Sequence, residues 1–281
     1  MRSMFIEYEP YIRLGMFGGV FAAMAVWELV APRRRQHIGR VARWPSNLGV
    51  VLLDTLVVRL LFPMSAVGLA LYSEQQGWGL LNVWLVSPWL AVPIAVIAFD
   101  LAIYLQHVLF HAVPVLWRLH RMHHADLEFD VTTGARFHPV EIVLSMLLKL
   151  ALVVALGAPA LAVLLFEVLL NATAMFNHSN VQLSASKDQV LRMFVVTPDM
   201  HRVHHSIISQ ETNSNFGFNL PWWDWLFGTY QAQPAAGHVE MTIGIKEFRD
   251  PEEQRLDRML TQPFRGGGSS QPTSGMWTDA E

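Results

Sequence analysis

Between residues 11 and 170 the chain is dominated by apolar runs longer than the core helices of a soluble domain use. A helix needs about 20 mostly apolar residues to cross the hydrocarbon core, where no water satisfies free backbone groups. The stretches 11–30, 48–72, 80–105 and 140–170 reach that length. The last is interrupted by Gly157, Ala158 and Pro159, and a proline removes a helical donor, so it reads as a hairpin of two shorter helices. The pattern predicts an all-α integral-membrane bundle of 4–5 hydrophobic helices, capped by a cytosolic helical region that binds metal. The opening stretch carries Arg13 and Glu28 and lacks a small-residue cleavage site, so it is expected to be retained.

Polar positions orient this bundle. Arg33, Arg34, Arg35, Arg40 and Arg43 lie between the first two runs, which places that loop in the cytoplasm by the positive-inside rule and fits a bacterial inner membrane. The third run then delivers His107 and His111 to the cytoplasmic side. His178 returns there only if the 140–170 segment is a hairpin. Asp54, Arg59 and Asp100 fall within apolar runs, where an ionisable group is costly. Asp54 and Arg59 are expected to satisfy one another, and Asp100 to sit near the interface. Residues 1–231 form the membrane domain, with the histidine motifs in 100–230. Residues 232–281 read as a polar tail, disordered from about 265, where Gly and Ser accumulate without an apolar period.

Composition narrows the chemistry. Apolar residues make up 52% of the chain and charged ones 15%, and a net charge of −3 without a basic stripe leaves nothing to attract nucleic acid. There is no cysteine, so any metal must be held by nitrogen and oxygen. Ten of the twelve histidines lie between His107 and His205. His107 and His111 form an HxxxH pair; His120, His123 and His124 form an HxxHH group, and His201, His204 and His205 a second one. Residues three and four apart share a helix face, so each group projects imidazoles in one direction. With His138 and His178 this is more than one ion accepts, which points to two metals. Carboxylates that might hold the outer ring nitrogens are Asp126, Glu128, Asp130, Asp199 and Asp224. His138 precedes Pro139 and is either a ligand or an anchor at the helix start. The aromatics Trp84, Trp89, Phe110 and Trp117 read as interfacial belt or packing residues. The run from Pro221 to Phe227 reads as a membrane-docking surface, and Asn213, Asn215 and Gly217 as a sharp turn.

From Asp100 to Tyr230 the chain resembles the fatty acid hydroxylase and sterol desaturase superfamily. The likeness rests on the HxxxH box, the LWRLHRMHH box, Arg-Phe-His-Pro-Val-Glu at 136–141 and Asn-His-Ser-Asn at 177–180. It continues with Thr-Pro-Asp-Met-His-Arg-Val-His-His at 197–205, Asn-Ser-Asn-Phe-Gly-Phe-Asn-Leu at 213–220 and Trp-Asp-Trp-Leu-Phe-Gly-Thr-Tyr at 223–230. The resemblance implies a non-haem di-iron oxygenase that uses O2 to hydroxylate a C–H bond of a lipid or sterol-like substrate. Desaturation by the same centre is the close alternative. It further implies two Fe ions, replaceable by Zn in recombinant samples, held by the histidines of the three boxes and His178. With no cysteine, haem signature or GxGxxG loop, electrons must come from an external donor: a reductase, a ferredoxin or a cytochrome b5-like protein. A zinc-dependent membrane hydrolase would need an HExxH-like base, and none is present. A metal transporter would place its ligands at mid-span, whereas these lie at the ends of runs.

Overall fold

The computed structural model describes residues 2–266, except for the side chains of 2–7. Among the described residues there is no strand, only two isolated bridges, Pro32 to Val181 and Ser206 to Ile243. Helix α1, Arg2–Val30, is followed by the arginine loop and α2, Arg40–Leu61. Phe62 is extended, as a residue before proline prefers, and Ser65 then caps α3, Ala66–Gln75, by accepting from the Gly68 N–H. The run read as one span over 48–72 is therefore two helices. Its first helix also starts earlier than hydropathy suggests, because Arg43 and Asn47 are buried on the same face as Val50 and Asp54.

After a short α4, Leu80–Val83, helix α5 spans Pro88–Ala112. Val113 is again extended before a proline, which breaks the chain into α6, Pro114–His124, and folds it back along α5. The predicted hairpin is present as α7, Pro139–Leu156, and α8, Ala160–Asn177. At its tip Gly157 is left-handed, with φ 65°, and a Cβ there would lie 2.4 Å from the Trp78 carbonyl oxygen, so only glycine fits. The rest of the chain forms α9, Ala185–Leu191, α10, Pro198–His204, α11, Ser209–Thr212, α12, Trp222–Leu226, α13, Gly237–Glu240, and α14, Leu256–Thr261. Residues 232–266 pack against the histidine end, with Met259 in contact with Val50 and Met122. Of the end expected to be disordered, from about 265, the residues from 267 onward lie outside the described residues.

Five segments are long and apolar enough to cross a membrane: Tyr8–Val30, Arg40–Val83, Pro88–Ala112, Pro139–Leu156 and Ala160–Asn177. The protein is an integral-membrane helical bundle. Small residues such as Ala66, Ala70, Ala91, Ala95 and Ala162 let its helices approach closely around Phe99 and Phe166. At one end Gly79 abuts Gly157. At the other, Glu28 accepts from the backbone N–H groups of Val131 and Asn180, and Arg43 bonds Asp126. The loop with Arg33 to Arg35 lies at this second end, which also carries the histidines: Arg33 bonds Asp199 and the Arg34 N–H donates to Asn180.

Asp54 and Arg59 do not pair as expected. Five residues place them about 140° apart around a helix, and Asp54 is buried while Arg59 is exposed. Asp100 accepts from Asn219 at 2.7 Å and from the Trp223 indole at 2.8 Å, which ties α5 to the 213–221 loop and to α12.

Candidate metal centre

Five elements converge at the polar end of the bundle. The last two turns of α5 present His107 and His111, α6 presents His120, His123 and His124, the C-terminus of α8 presents His178, and α10 with its cap presents His201, His204 and His205. Helix α10 starts where Thr197 accepts from the Met200 N–H and Pro198 takes the first helical position. The fifth element, the 213–218 loop, supplies backbone carbonyls and phenylalanine rings. All nine histidines are no more than 3% exposed.

They sort into two groups, in each of which the possible ligand atoms lie within 4.8 Å of one another: His107, His111, His120, His124 and His204, and then His123, His178, His201 and His205. Nitrogens bound about 2.1 Å from a single ion are at most about 4 Å apart, so small movements suffice. The division cuts through the sequence motifs. Each i, i+4 pair (107/111, 120/124, 201/205) stays within one group, while the middle histidine of each HxxHH motif, His123 or His204, joins the other. The groups adjoin, with the His124 and His205 rings stacked at 4.5 Å.

Outer hydrogen bonds set which nitrogen faces inward. His107 donates from Nδ1 to the Phe216 carbonyl at 2.7 Å, His204 to Ser214 at 2.7 Å, His178 to Ala174 at 2.8 Å, and His120 to the Glu141 carboxylate at 2.7 Å. With the proton on Nδ1, each Nε2 carries a lone pair toward the centre. His107 Nε2 and His120 Nε2 then face each other at 3.1 Å, lone pair to lone pair, an arrangement a shared cation makes favourable. His178 Nε2 lies 3.2 Å from His123 Nε2 and 3.0 Å from His201 Nε2, and the Nε2 atoms of His124 and His204 are buried without a hydrogen bond. Burial pushes His120 and His178 down to about 3. Burial, reinforced by neighbouring imidazoles, holds His123, His124, His201, His204 and His205 well below the ordinary histidine range. The donors are therefore neutral, as metal ligands must be, and imidazole suits iron, copper, nickel and zinc. The donor set fits two metal ions.

His138 is not brought into either group. Its Nδ1 accepts from the Val140 N–H, capping α7, and its Nε2 donates to the Leu260 carbonyl at 3.2 Å. The carboxylates expected behind the histidines also serve elsewhere. Asp126 and Asp130 hold Arg43, Glu128 accepts from the N–H groups of His37 and Ile38, and Asp199 holds Arg33 and Arg202. Asp224 acts one step removed, accepting from the N–H groups of Phe216 and Gly217 and from Thr229, and so fixes the loop whose carbonyls orient His107 and His204. Asn215 makes the sharp turn there, with φ 52° and its amide bonded to the Met200 and Gln231 carbonyls. Among the described hydrogen bonds, the carboxylate that bonds a ring of either histidine group is Glu141, whose place in the 136–141 motif was the available signal.

Aromatic rings close the site. Phe137 stacks on His123 at 4.4 Å, Trp117 lies 4.9 Å from His111, and Phe216 and Phe218 face His107. Trp117 and Phe110 are buried here, whereas Trp84 and Trp89 are exposed on the bundle. Trp222, Trp225, Leu226 and Phe227 are also exposed.

The architecture is that of a polytopic membrane protein with a buried polyhistidine cluster that fits a metal site. The profile of the family described as fatty acid hydroxylase matches residues 92–229. The ornithine lipid hydroxylase OlsE of Rhizobium tropici is 29% identical over 177 residues, covering 63% of this chain and 51% of its own. The alkylglycerol monooxygenase of Homo sapiens is 27% identical over 174 residues, covering 62% and 38%, and that of Xenopus tropicalis 26% over 167 residues, covering 58% and 35%. The matched segment thus spans about half or less of these relatives. No solved structure matches the chain. These matches support a place for residues 92–229 in the fatty acid hydroxylase and sterol desaturase superfamily.

Proposed function

We propose that this protein is a membrane-bound di-iron oxygenase that hydroxylates a C–H bond of a lipid, using O2 and electrons from an external donor. The observation that carries this reading is the pair of adjoining, fully buried imidazole groups. His107, His111, His120, His124 and His204 would hold one ion, and His123, His178, His201 and His205 the other. Bound iron would supply the oxygen and redox chemistry that no side chain provides. The chain's own residues would do the rest. Backbone carbonyls and Glu141 keep the proton on Nδ1 of their histidines, and the surrounding rings exclude water from the centre. The relatives named as lipid and alkylglycerol hydroxylating enzymes support a hydrophobic substrate, which the bundle would admit from the bilayer.

The arginine loop and the histidines share one end of the bundle, which supports a cytoplasmic catalytic cap in a bacterial inner membrane, within reach of a soluble reductase or ferredoxin. The test is metal analysis of detergent-purified protein from iron-supplemented cells, compared with a His204→Ala, His205→Ala variant that removes one donor from each group. About two iron atoms per chain are expected in the parent, with loss of both in the variant. A folded parent without metal, or a single ion indifferent to the change, would overturn the reading.

A further inference from the structure

A groove of about 460 Å³ opens beside the end of α1 and plays no part in holding the histidines; Leu29, Arg34, Arg35, Arg40, Asn180 and Val239 are among its walls. Its guanidinium groups are incompletely used. Arg34 donates Nη1 to the Met241 carbonyl at 2.8 Å, and its Nε is buried without a partner. Arg40 reaches Glu28 only at 3.4 Å, and its Nε is likewise buried and unpartnered. Arg35 is exposed and makes no hydrogen bond or ion pair among the described residues.

The nearby acids neutralise these charges only in part, with Glu28 Oε2 against Arg40 and with Glu128 and Glu240 near Arg34 but in no direct ion pair with it. Glu28 gives Oε1 to the N–H groups of Val131 and Asn180 at 2.7 and 2.8 Å. Glu128 is taken by the N–H groups of His37 and Ile38, and Glu240 is exposed. Asp199 is shared by Arg33 and Arg202. The setting is as informative as the charge. Leu29 and Val30, at the end of the first apolar span, are 66% and 78% exposed, and Val41, at the start of the second, is 90% exposed, a position at which acyl chains would give way to headgroups. A cationic groove at that depth, with apolar side chains below it, matches an anion attached to a hydrocarbon tail. A soluble anion would have no use for the apolar rim.

We propose that this groove binds the phosphodiester of an anionic phospholipid, held by Arg34, Arg35 and Arg40, with its acyl chains lying along α1. Guanidinium groups bond phosphate oxygens through paired N–H donors. The bound lipid would bridge α1 to the Asn180 turn, which already exchanges hydrogen bonds with Arg34 through its side-chain amide.

The test is native mass spectrometry of the delipidated full chain in detergent, titrated with phosphatidylglycerol or phosphatidylcholine. At about a fivefold contribution from each interfacial arginine, an Arg34→Ala, Arg35→Ala, Arg40→Ala variant should bind phosphatidylglycerol on the order of a hundredfold more weakly. Lys187→Ala, on an exposed residue of α9, should leave it unchanged. Phosphatidylcholine should bind the parent weakly and be indifferent to the triple change. Unchanged metal content in the variant shows that it is folded. If it is not, Arg35→Glu alone, at an exposed position, should still weaken phosphatidylglycerol binding at least tenfold. Equal affinity for the two lipids, an unaffected variant, or displacement of the lipid by equimolar glycerol 3-phosphate would overturn the proposal. So would a variant that keeps its lipid affinity but loses binding of an acidic ferredoxin.

Discussion

In the first span only 6% of the most apolar stretch is buried within the protein, and Leu14, Val26 and Leu29 point outward. Between Leu119 and Gly134, by contrast, every residue except Leu127 is buried, although the stretch contains Arg121, Asp126, Glu128, Asp130 and three histidines. The two regions are inverted relative to each other. In the bundle the apolar side chains meet lipid, which is as apolar as they are, so their exposure costs little. At the histidine end the chain must bury charge, and it does so by satisfying it: Arg43 bonds Asp126 through two nitrogens, at 2.7 and 2.6 Å, and Asp130 at 2.6 Å. What holds the site together is thus a polar network rather than an oily core, and the two regions should respond to mutation in opposite ways.

The sharpest contrast lies within α2. Arg43→Ala should destabilise the protein by about 3–5 kcal/mol, because it strands two buried carboxylates. Leu52→Ala, on a side chain 73% exposed to the lipid side of the same helix, should change stability by no more than about 0.5 kcal/mol. Thermal unfolding in detergent, followed together with metal content, measures both. Equal losses would abolish the distinction between the regions.

The same inversion explains what the sequence revealed. Hydropathy located the spans and, through Gly157 and Pro159, the hairpin, because lipid contact is written into individual residues. It missed the start of α2 at Arg40, since Arg43 and Asn47 look like loop residues until Asp126 and Thr132, about eighty positions away, come into view. It also read through the break at Phe62, where one proline and a serine cap outweigh an apolar run. The histidines were legible by spacing, but their partition was not. Helical spacing fixes which side chains share a face, whereas the docking of α6 against α10 decides that His123 sides with His205 and His204 with His124. The supports behind them were hardest to see. Ser214, Phe216 and Ala174 act through backbone carbonyls, which have no residue signature, and arginines had already claimed the acids that seemed available.

Glu141 tests that last point with a smaller effect. Its Oε1 accepts the Nδ1 proton of His120 at 2.7 Å. Glu141→Leu should weaken metal retention about 10–100-fold, the usual cost of removing an outer partner of a ligating histidine. Glu141→Gln keeps an acceptor oxygen and should lose less. Competition of the loaded protein with a graded chelator gives the ranking parent, Gln, Leu. If all three release metal alike, His120 is oriented by something other than Glu141, and the buried network is less tightly coupled to the centre than its hydrogen bonds imply.

The smallest effect is expected at His138, which sits at the boundary between the two regions. The sequence left it open between a metal ligand and an anchor at the helix start, since it lies among the clustered histidines yet directly precedes Pro139. Its ring instead bridges the first turn of α7 and the α14 backbone, accepting from the Val140 N–H at 3.2 Å and donating to Leu260. His138→Ala should therefore cost about 1 kcal/mol, the worth of a side-chain cap, with metal content unchanged. His138→Asn, which can cap the same N–H, should recover much of that loss, whereas an amide is a poor substitute for an imidazole ligand. Stability restored by Asn at constant metal content assigns the residue to the bundle's architecture. Metal lost in both variants would mean that His138 swings toward the ions when they bind, and the boundary between the two regions would have to be moved to include the first turn of α7.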